Sequence, residues 1–257
     1  MLVLKYRRIC SPKPTIKNLD TLQEPTMAQW MPGLIGACCA DCAHCRDICP
    51  TGAIAKDQSG GLEFNYGSCI ACRVCIDNCP SKALVALPSI YAATSRDDLS
   101  RTYVAGGRGS DTAEKEDHQP KGKSRAIKIF AKSMHVREVD CGSCNACELE
   151  IAATGNPVYD AERFGIHIVA SPRHADVLFV TGPVTRQMEL ALRKTDAATP
   201  TPKLIVAVGS CACSGGLFGN TSVAGAGVDQ FVGIDLYIPG CPPSPQAILK
   251  NIIKLRG

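Results

Sequence analysis

The chain has 257 residues, 45% of them hydrophobic, and a mean hydropathy of +0.02; this describes a globular protein with one or two cores, and no apolar run approaches the roughly 20 residues of a membrane-crossing helix. The formal net charge of +4 counts all 16 cysteines as neutral, so it supports no inference of a nucleic-acid partner. A chain of this size with its own core and no signal peptide is expected in a reducing compartment, where so many thiols bind metal rather than pair as disulfides.

Near the N-terminus, KYRRICSPKP contains Arg7 and Arg8. No apolar segment follows this twin arginine, so export is not expected. The first half then repeats itself. An offset of 30 (69 − 39) lays Cys39, Cys42, Cys45, Cys49 and Pro50 on Cys69, Cys72, Cys75, Cys79 and Pro80, and Ala53 on Ala83. Both copies read C-x2-C-x2-C-x3-C-P, the run of bacterial ferredoxins, in which three cysteines hold one 4Fe–4S cluster and the fourth crosses to the other. Short steps place three thiolates around one face of a cube, and the proline stops the chain from continuing as a helix, turning the fourth thiol outward.

Crossed ligation predicts one cluster on Cys39, Cys42, Cys45 and Cys79 and the other on Cys69, Cys72, Cys75 and Cys49. A pair of zinc knuckles is the competing reading, but zinc takes two thiol pairs separated by a longer loop and leaves an unbroken run of four before proline, given twice, unexplained. Between the copies, KDQSGGLEFNYGS reads as turn, short strand at Leu62–Asn65, and turn. Cys38 and Cys10 fall outside the repeat; Cys38 is expected to be a buried thiol beside the ligands.

From Ser95 to Arg125 the sequence fills with Gly, Ser, Asp and Lys, a composition that buries too little surface to offset chain entropy. It is read as a linker over 95–125, separating a small α+β two-cluster domain with its N-terminal extension (1–94) from a second domain (126–257). The basic stretch Lys121 to Lys132 is expected to be a solvated face, with anionic lipid as the alternative. GGRGS has neither a strand before it nor a Lys-Ser after it, so it is not read as a phosphate loop.

Beyond the linker, Gly165 to Ala170, Asp176 to Gly182, Lys203 to Gly209 and Asp235 to Pro239 are short apolar runs of the kind found in buried parallel strands. Val184 to Lys194 and Pro245 to Leu255 read as helices. The expected architecture is an α/β, flavodoxin-like sheet. Two of its strands run into cysteine loops, VAVGSCACSGG with Cys211 and Cys213, and YIPGCPP with Cys241; in open α/β sheets such carboxyl ends border the ligand crevice. In CGSCNACELE (Cys141, Cys144, Cys147), a helix is expected to start at Cys147, its amides offsetting the negative charge of a thiolate-bound cluster. Spacing alone does not choose Cys144 with Cys147 over Cys141 with Cys144, nor Cys211 over Cys213.

The segments SCNACELE, YDAERFGI, SPRHADVLFVTGPVT, GSCACSGG and PGCPPSP resemble the small electron-transfer subunit of membrane-bound nickel-iron hydrogenases, including formate hydrogenlyase, and its relative in respiratory complex I. The resemblance covers roughly residues 126–257 and implies a 4Fe–4S cluster on Cys144, Cys147, Cys211 and Cys241. Complex I subunits carry adjacent cysteines where this chain has Cys144-Asn145-Ala146-Cys147, which favours the hydrogenase branch. The N-terminal half resembles the two-cluster ferredoxin subunit of the same complexes, here joined in one chain.

What this implies is an oxidoreductase subunit relaying electrons through three 4Fe–4S clusters. Its partners would be a large catalytic subunit that carries nickel and iron, membrane-arm subunits and an upstream redox enzyme or ferredoxin, in a peripheral complex on the cytoplasmic side of the membrane. A complex I-like quinone oxidoreductase subunit and a diffusible polyferredoxin carrier are the alternatives. Cys141 and Cys213 are expected to be packing thiols, His174 a loop residue, His44 solvent-exposed, and Glu148 and Glu150 helix-start acids. No catalytic triad, paired-carboxylate site or HExxH motif is evident, so bond-making chemistry is expected on a partner.

Overall fold

The computed structural model describes residues 15, 30–35, 43–56, 61–88, 91–103, 130, 132–219 and 221–256. Expectations for Arg7, Arg8, Cys10, Cys38, Cys39, Cys42, the GGRGS stretch and residues 104–125 of the linker lie outside them, as does the basic stretch apart from Phe130 and Lys132. Among the described residues no helix is long and apolar enough to cross a membrane.

The N-terminal half is built from short pieces. Strands β1 (Trp30–Leu34) and β4 (Leu84–Pro88) pair antiparallel, and β2 (Ile54–Lys56), β3 (Leu62–Asn65) and β5 (Ser100–Tyr103) form a second antiparallel sheet in the order β2-β3-β5. Each cysteine run closes in one helical turn, α1 (His44–Asp47) and α2 (Val74–Asp77). Phe64, Met31, Tyr66 and Leu84 make the core, and Cys49, Cys69, Cys75 and Cys79 pack against it. Phe64 meets the Tyr103 ring edge-on at 5.5 Å.

The C-terminal half is an α/β layer. Five parallel strands lie in the order β10-β9-β8-β6-β7, namely Leu236–Ile238, Leu204–Val208, Val177–Thr181, Met134–Asp140 and Ile166–Ile168. Every residue of β8 (VLFVT) and β9 (LIVAV) is buried, as strands covered on both faces require. Alternation divides them between two cores: Val177, Phe179, Leu204 and Val206 join Ile248 and Ile252 of the last helix, whereas Leu178, Val180, Ile205 and Ala207 join Leu192. The helices are α3 (Ala146–Ala153), α4 (Arg186–Ala198), α5 (Ser210–Ser214) and α6 (Pro245–Arg256). In α6 proline stands at the first position, where its missing N–H costs nothing, and Lys254 and Arg256 stand in the last turn, facing the negative end of the helix dipole.

Strand β6 lies between β7 and β8, yet its sequence MHVREVD carries no strand signal of its own. Its buried residues, Met134, Val136 and Val139, are interleaved with charged ones, so it lacks the continuous apolar run of its neighbours. The linker does not begin at Ser95. Asp97–Leu99 forms a 3-10 turn and Ser100–Tyr103 is strand β5, because Leu99 and Tyr103 are apolar enough to be buried at 1% and 8% exposure. Upstream, Ala93 exchanges two backbone hydrogen bonds with Tyr237 of β10 (3.0 and 2.8 Å). Residues 91–103 are thus a strap, fastened to the C-terminal sheet at one end and to the N-terminal sheet at the other.

Candidate metal centres

In the N-terminal half the two runs cross. A pocket of about 500 Å3, mouth included, is lined by Cys49 of the first run and Cys69, Cys72 and Cys75 of the second, over Phe64 and Ile76. A smaller one, about 290 Å3, brings Cys45 of the first run to Cys79 of the second, between Leu34 and Leu84. Cys39 and Cys42, expected to complete it, are outside the described residues. The apolar walls explain the thiol acidities: burial pushes Cys69 up to about 11 and Cys75 up to about 12, with repulsion from neighbouring thiols adding to both.

Donors aimed at sulfur were not foreseen from the sequence. The Ala53 amide donates to Cys49 Sγ (3.3 Å) and the Ala71 amide to Cys69 Sγ (3.4 Å). Hydroxyls stand two residues after the fourth cysteine of each run, Thr51 at 3.7 Å from Cys49 Sγ and Ser81 at 3.4 Å from Cys79 Sγ. Burial raises the Cys79 thiol, but Ser81 and the amides of Leu84, Ala83 and Ser81 outweigh it and lower the net value. The signal was present in the repeat, since the offset of 30 also carries Thr51 onto Ser81 (81 − 51). Such donors stabilise sulfur that bears negative charge and so tune a cluster held there.

In the C-terminal half, the loops leaving β6, β9 and β10 bring Cys144 and Cys147, Cys211, and Cys241 to one end of the sheet. Asp140 shapes the first loop, its Oδ1 accepting from the amides of Gly142 (2.8 Å) and Ser143 (2.7 Å). Ser143 Oγ then accepts from Asn145 (2.9 Å), which turns left-handed (φ 68°) into α3. Gly209, at φ +94°, lets Cys147 approach: a Cβ there would lie 2.5 Å from its sulfur. Cys147, Cys211 and Cys241 each feel other thiols of the group. Burial and then Glu148, Cys211, Cys241 and Cys144 raise Cys147; burial and then Cys241 and Cys144 push Cys211 up to about 11; burial and then Cys144 and Cys72 raise Cys241.

Cys141 and Cys213 stand apart from this group, each fully buried in the core on one face of the sheet. The Cys213 thiol points back at the Ala207 carbonyl, 3.9 Å away. Among the described residues no three His, Cys, Asp or Glu side chains converge tightly enough for a single ion; thiolates around an iron–sulfur cube stand farther apart than those around one zinc. His44 and His174 are exposed. Glu148 stands in the first turn of α3, as expected, and both its carboxylate oxygens are buried with no hydrogen-bond partner among the described residues. Burial and the nearby Glu148 charge raise Glu138, which accepts from Thr181 Oγ1 (3.4 Å).

The two halves meet at these sites. Ser210 Oγ donates to the Cys69 carbonyl (2.6 Å) and Ser214 Oγ to the Gly67 carbonyl (2.8 Å), while Cys72 adds to the burial that raises the Cys241 thiol, and Cys241 adds to the burial that raises Cys69. The pocket of Cys49, Cys69, Cys72 and Cys75 therefore borders the C-terminal cysteine group.

A parallel α/β layer with cysteines gathered at its carboxyl edge, joined to a small domain carrying a 4Fe–4S repeat, defines a class of iron–sulfur protein. Residues 144–255 match the family described as NADH ubiquinone oxidoreductase, 20 Kd subunit, and residues 62–85 match the 4Fe-4S binding domain. Formate hydrogenlyase subunit 7 of Escherichia coli is 48% identical over 127 residues, covering 49% of this chain and 50% of that protein. The probable membrane-bound hydrogenase subunit mbhJ of Pyrococcus furiosus is 44% identical over 130 residues, 51% of this chain and 78% of that one. An NADH-quinone oxidoreductase subunit of Citrifermentans bemidjiense is 46% identical over 110 residues, 43% and 64% of the two chains. The chain belongs to the NADH ubiquinone oxidoreductase 20 Kd subunit family. It spans half the length of the Escherichia coli relative and about four-fifths of the Pyrococcus one.

Proposed function

We propose that the protein is the electron-relay subunit of a membrane-associated hydrogenase complex, holding three 4Fe–4S clusters. One is assigned to Cys39, Cys42, Cys45 and Cys79, one to Cys49, Cys69, Cys72 and Cys75, and one to Cys144, Cys147, Cys211 and Cys241. The observation that carries the reading is the gathering of four cysteines from three distant loops at one end of the C-terminal sheet, against a pocket lined by four more.

The residues fit such clusters. Their donors are all thiols, the softest ligands a protein offers; the glycine at 209 clears space beside Cys147; and amides and hydroxyls point at sulfur in both halves of the repeat. Each bound cluster would supply reversible one-electron exchange. The chain would fix the ligand spacing, flank the N-terminal sites with apolar walls, and set the local charge through sulfur hydrogen bonds and Glu148.

The contacts between the halves support an order for the relay: the Cys69 loop meets the C-terminal half, so the site of Cys49, Cys69, Cys72 and Cys75 would be the middle one and the site of Cys45 and Cys79 the outer one. Electrons would enter or leave at the Cys45 end, and the C-terminal site would face a large subunit carrying nickel and iron, in a peripheral complex on the cytoplasmic side with membrane-arm subunits. Strand order β7-β6-β8-β9-β10, with the domain's first strand between its second and third, supports a flavodoxin-like reading whose ligand crevice lies at the carboxyl ends. A complex I-like quinone reductase is the second reading, favoured by the likeness to the Citrifermentans quinone oxidoreductase. The spacing of Cys144 and Cys147, as against the adjacent cysteines of complex I subunits, favours the hydrogenase reading.

Iron and acid-labile sulfide analysis of the anaerobically purified chain tests the assignment. About twelve iron atoms per chain, four in each of three cubes, is the expected value. A value near eight would remove one cluster and with it the relay. Hydrogen evolution by the intact assembly, together with nickel analysis, separates the hydrogenase reading from the quinone one.

A further inference from the structure

We propose that Ser210 is a positioning residue that couples the C-terminal cluster site electronically to the neighbouring site of Cys69. The inference rests on the cluster assignment above and goes beyond it, because Ser210 binds no metal itself. Its backbone leads directly into Cys211. Its side chain, 1% exposed, donates to the carbonyl of Cys69 at 2.6 Å and accepts from the Gly240 amide at 3.3 Å. Its amide in turn donates to the Gly240 carbonyl (2.7 Å), and Gly240 precedes Cys241.

One buried hydroxyl therefore ties together three loops that carry ligands of two sites. Electron transfer weakens steeply with each gap in the intervening medium, and a chain of covalent bonds closed by one short hydrogen bond transmits better than a gap. From Cys211 Sγ to Cys69 Sγ the route through Ser210 is covalent except at that single 2.6 Å contact. The exchange it serves moves one electron, oxidising one centre and reducing the other by one, with no bond formed or broken and no proton transferred. Ser214 provides the comparison: it spans the same junction, to the Gly67 carbonyl at 2.8 Å, but is adjacent to no assigned ligand.

The test is electron paramagnetic resonance of the full-length protein, reduced anaerobically with dithionite, a low-potential one-electron reductant, with iron determined on each sample. The wild-type protein is expected to show a spin–spin splitting between the two neighbouring reduced centres. Ser210→Ala is expected to keep its full iron content and the through-space dipolar part of that splitting, yet lose the exchange part that travels through bonds. Ser210→Thr, which restores a hydroxyl, and Ser214→Ala are expected to retain it. The proposal is overturned by a fully loaded wild-type protein without splitting, by an unchanged splitting in Ser210→Ala, by an equal loss in Ser214→Ala, or by iron loss in Ser210→Ala, which would make the serine an assembly residue. A wild-type protein short of iron would instead fail the cluster assignment, before any variant is compared.

Discussion

At Gly209 the backbone sets the limit on what the C-terminal site can hold. Its φ of +94° lies in the region that a side chain enters at a cost of about 1–2 kcal/mol, and a Cβ would stand 2.5 Å from Cys147 Sγ. Gly209→Ala is expected to lose about four iron atoms per chain while the N-terminal cluster signals persist, measured by iron analysis with electron paramagnetic resonance; full retention of iron would contradict the close approach. The same scale explains why spacing could not decide between Cys211 and Cys213. Both lie on α5, and residues two apart on a helix project to nearly opposite sides, so one faces the loops and the other the core. The sequence carries the pair but not the phase of the helix, and only the resemblance to known subunits favoured Cys211. The ferredoxin-type run, by contrast, predicts from its spacing alone that Cys49 crosses to Cys69, Cys72 and Cys75, and these four line one pocket.

The strap of residues 91–103 is the element that the composition concealed. Its charged and small residues read as a tether, yet those charges are used: Arg96 Nη1 donates to both carboxylate oxygens of Asp229 at 3.0 Å, and Nη2 donates to the Ala226 carbonyl (2.6 Å). With Arg96 36% and Asp229 24% exposed, the pair is partly screened, and Arg96→Ala is expected to cost about 1–2 kcal/mol. The expected readout is faster proteolysis within 91–103 at unchanged iron content; cleavage as slow as in the wild type would show that the strap is held elsewhere. Elements with continuous apolar runs were legible nearly to their ends. The strand expected at Leu62–Asn65 coincides with β3, and the runs Asp176 to Gly182 and Lys203 to Gly209 each exceed their strands by one residue at either end. Strand β6 escaped because its hydrophobic positions are set among Arg137, Glu138 and Asp140.

Across the whole molecule, three features converge on one junction. The carboxyl ends of the parallel strands deliver cysteine loops, the repeat delivers a thiol-lined pocket, and the strap and the two serines of α5 hold the halves so that the Cys241 loop meets the Cys69 loop. Sequence patterns could point to the cysteines proposed here as ligands, since each motif is local. They could not show that one half abuts the other, because that contact depends on hydrogen bonds from Ser210 and Ser214 to backbone carbonyls more than 140 residues away, and a carbonyl leaves no mark in the sequence. The central claim is that cysteines from separate loops of the C-terminal sheet share one cluster while the core cysteine beside them does not. Comparing iron content and the C-terminal cluster signal of Cys241→Ser and Cys213→Ser tests it most directly. Loss of about four iron atoms in Cys241→Ser, with Cys213→Ser fully loaded, is the expected result; the reverse pattern, or full loading of both, would contradict it.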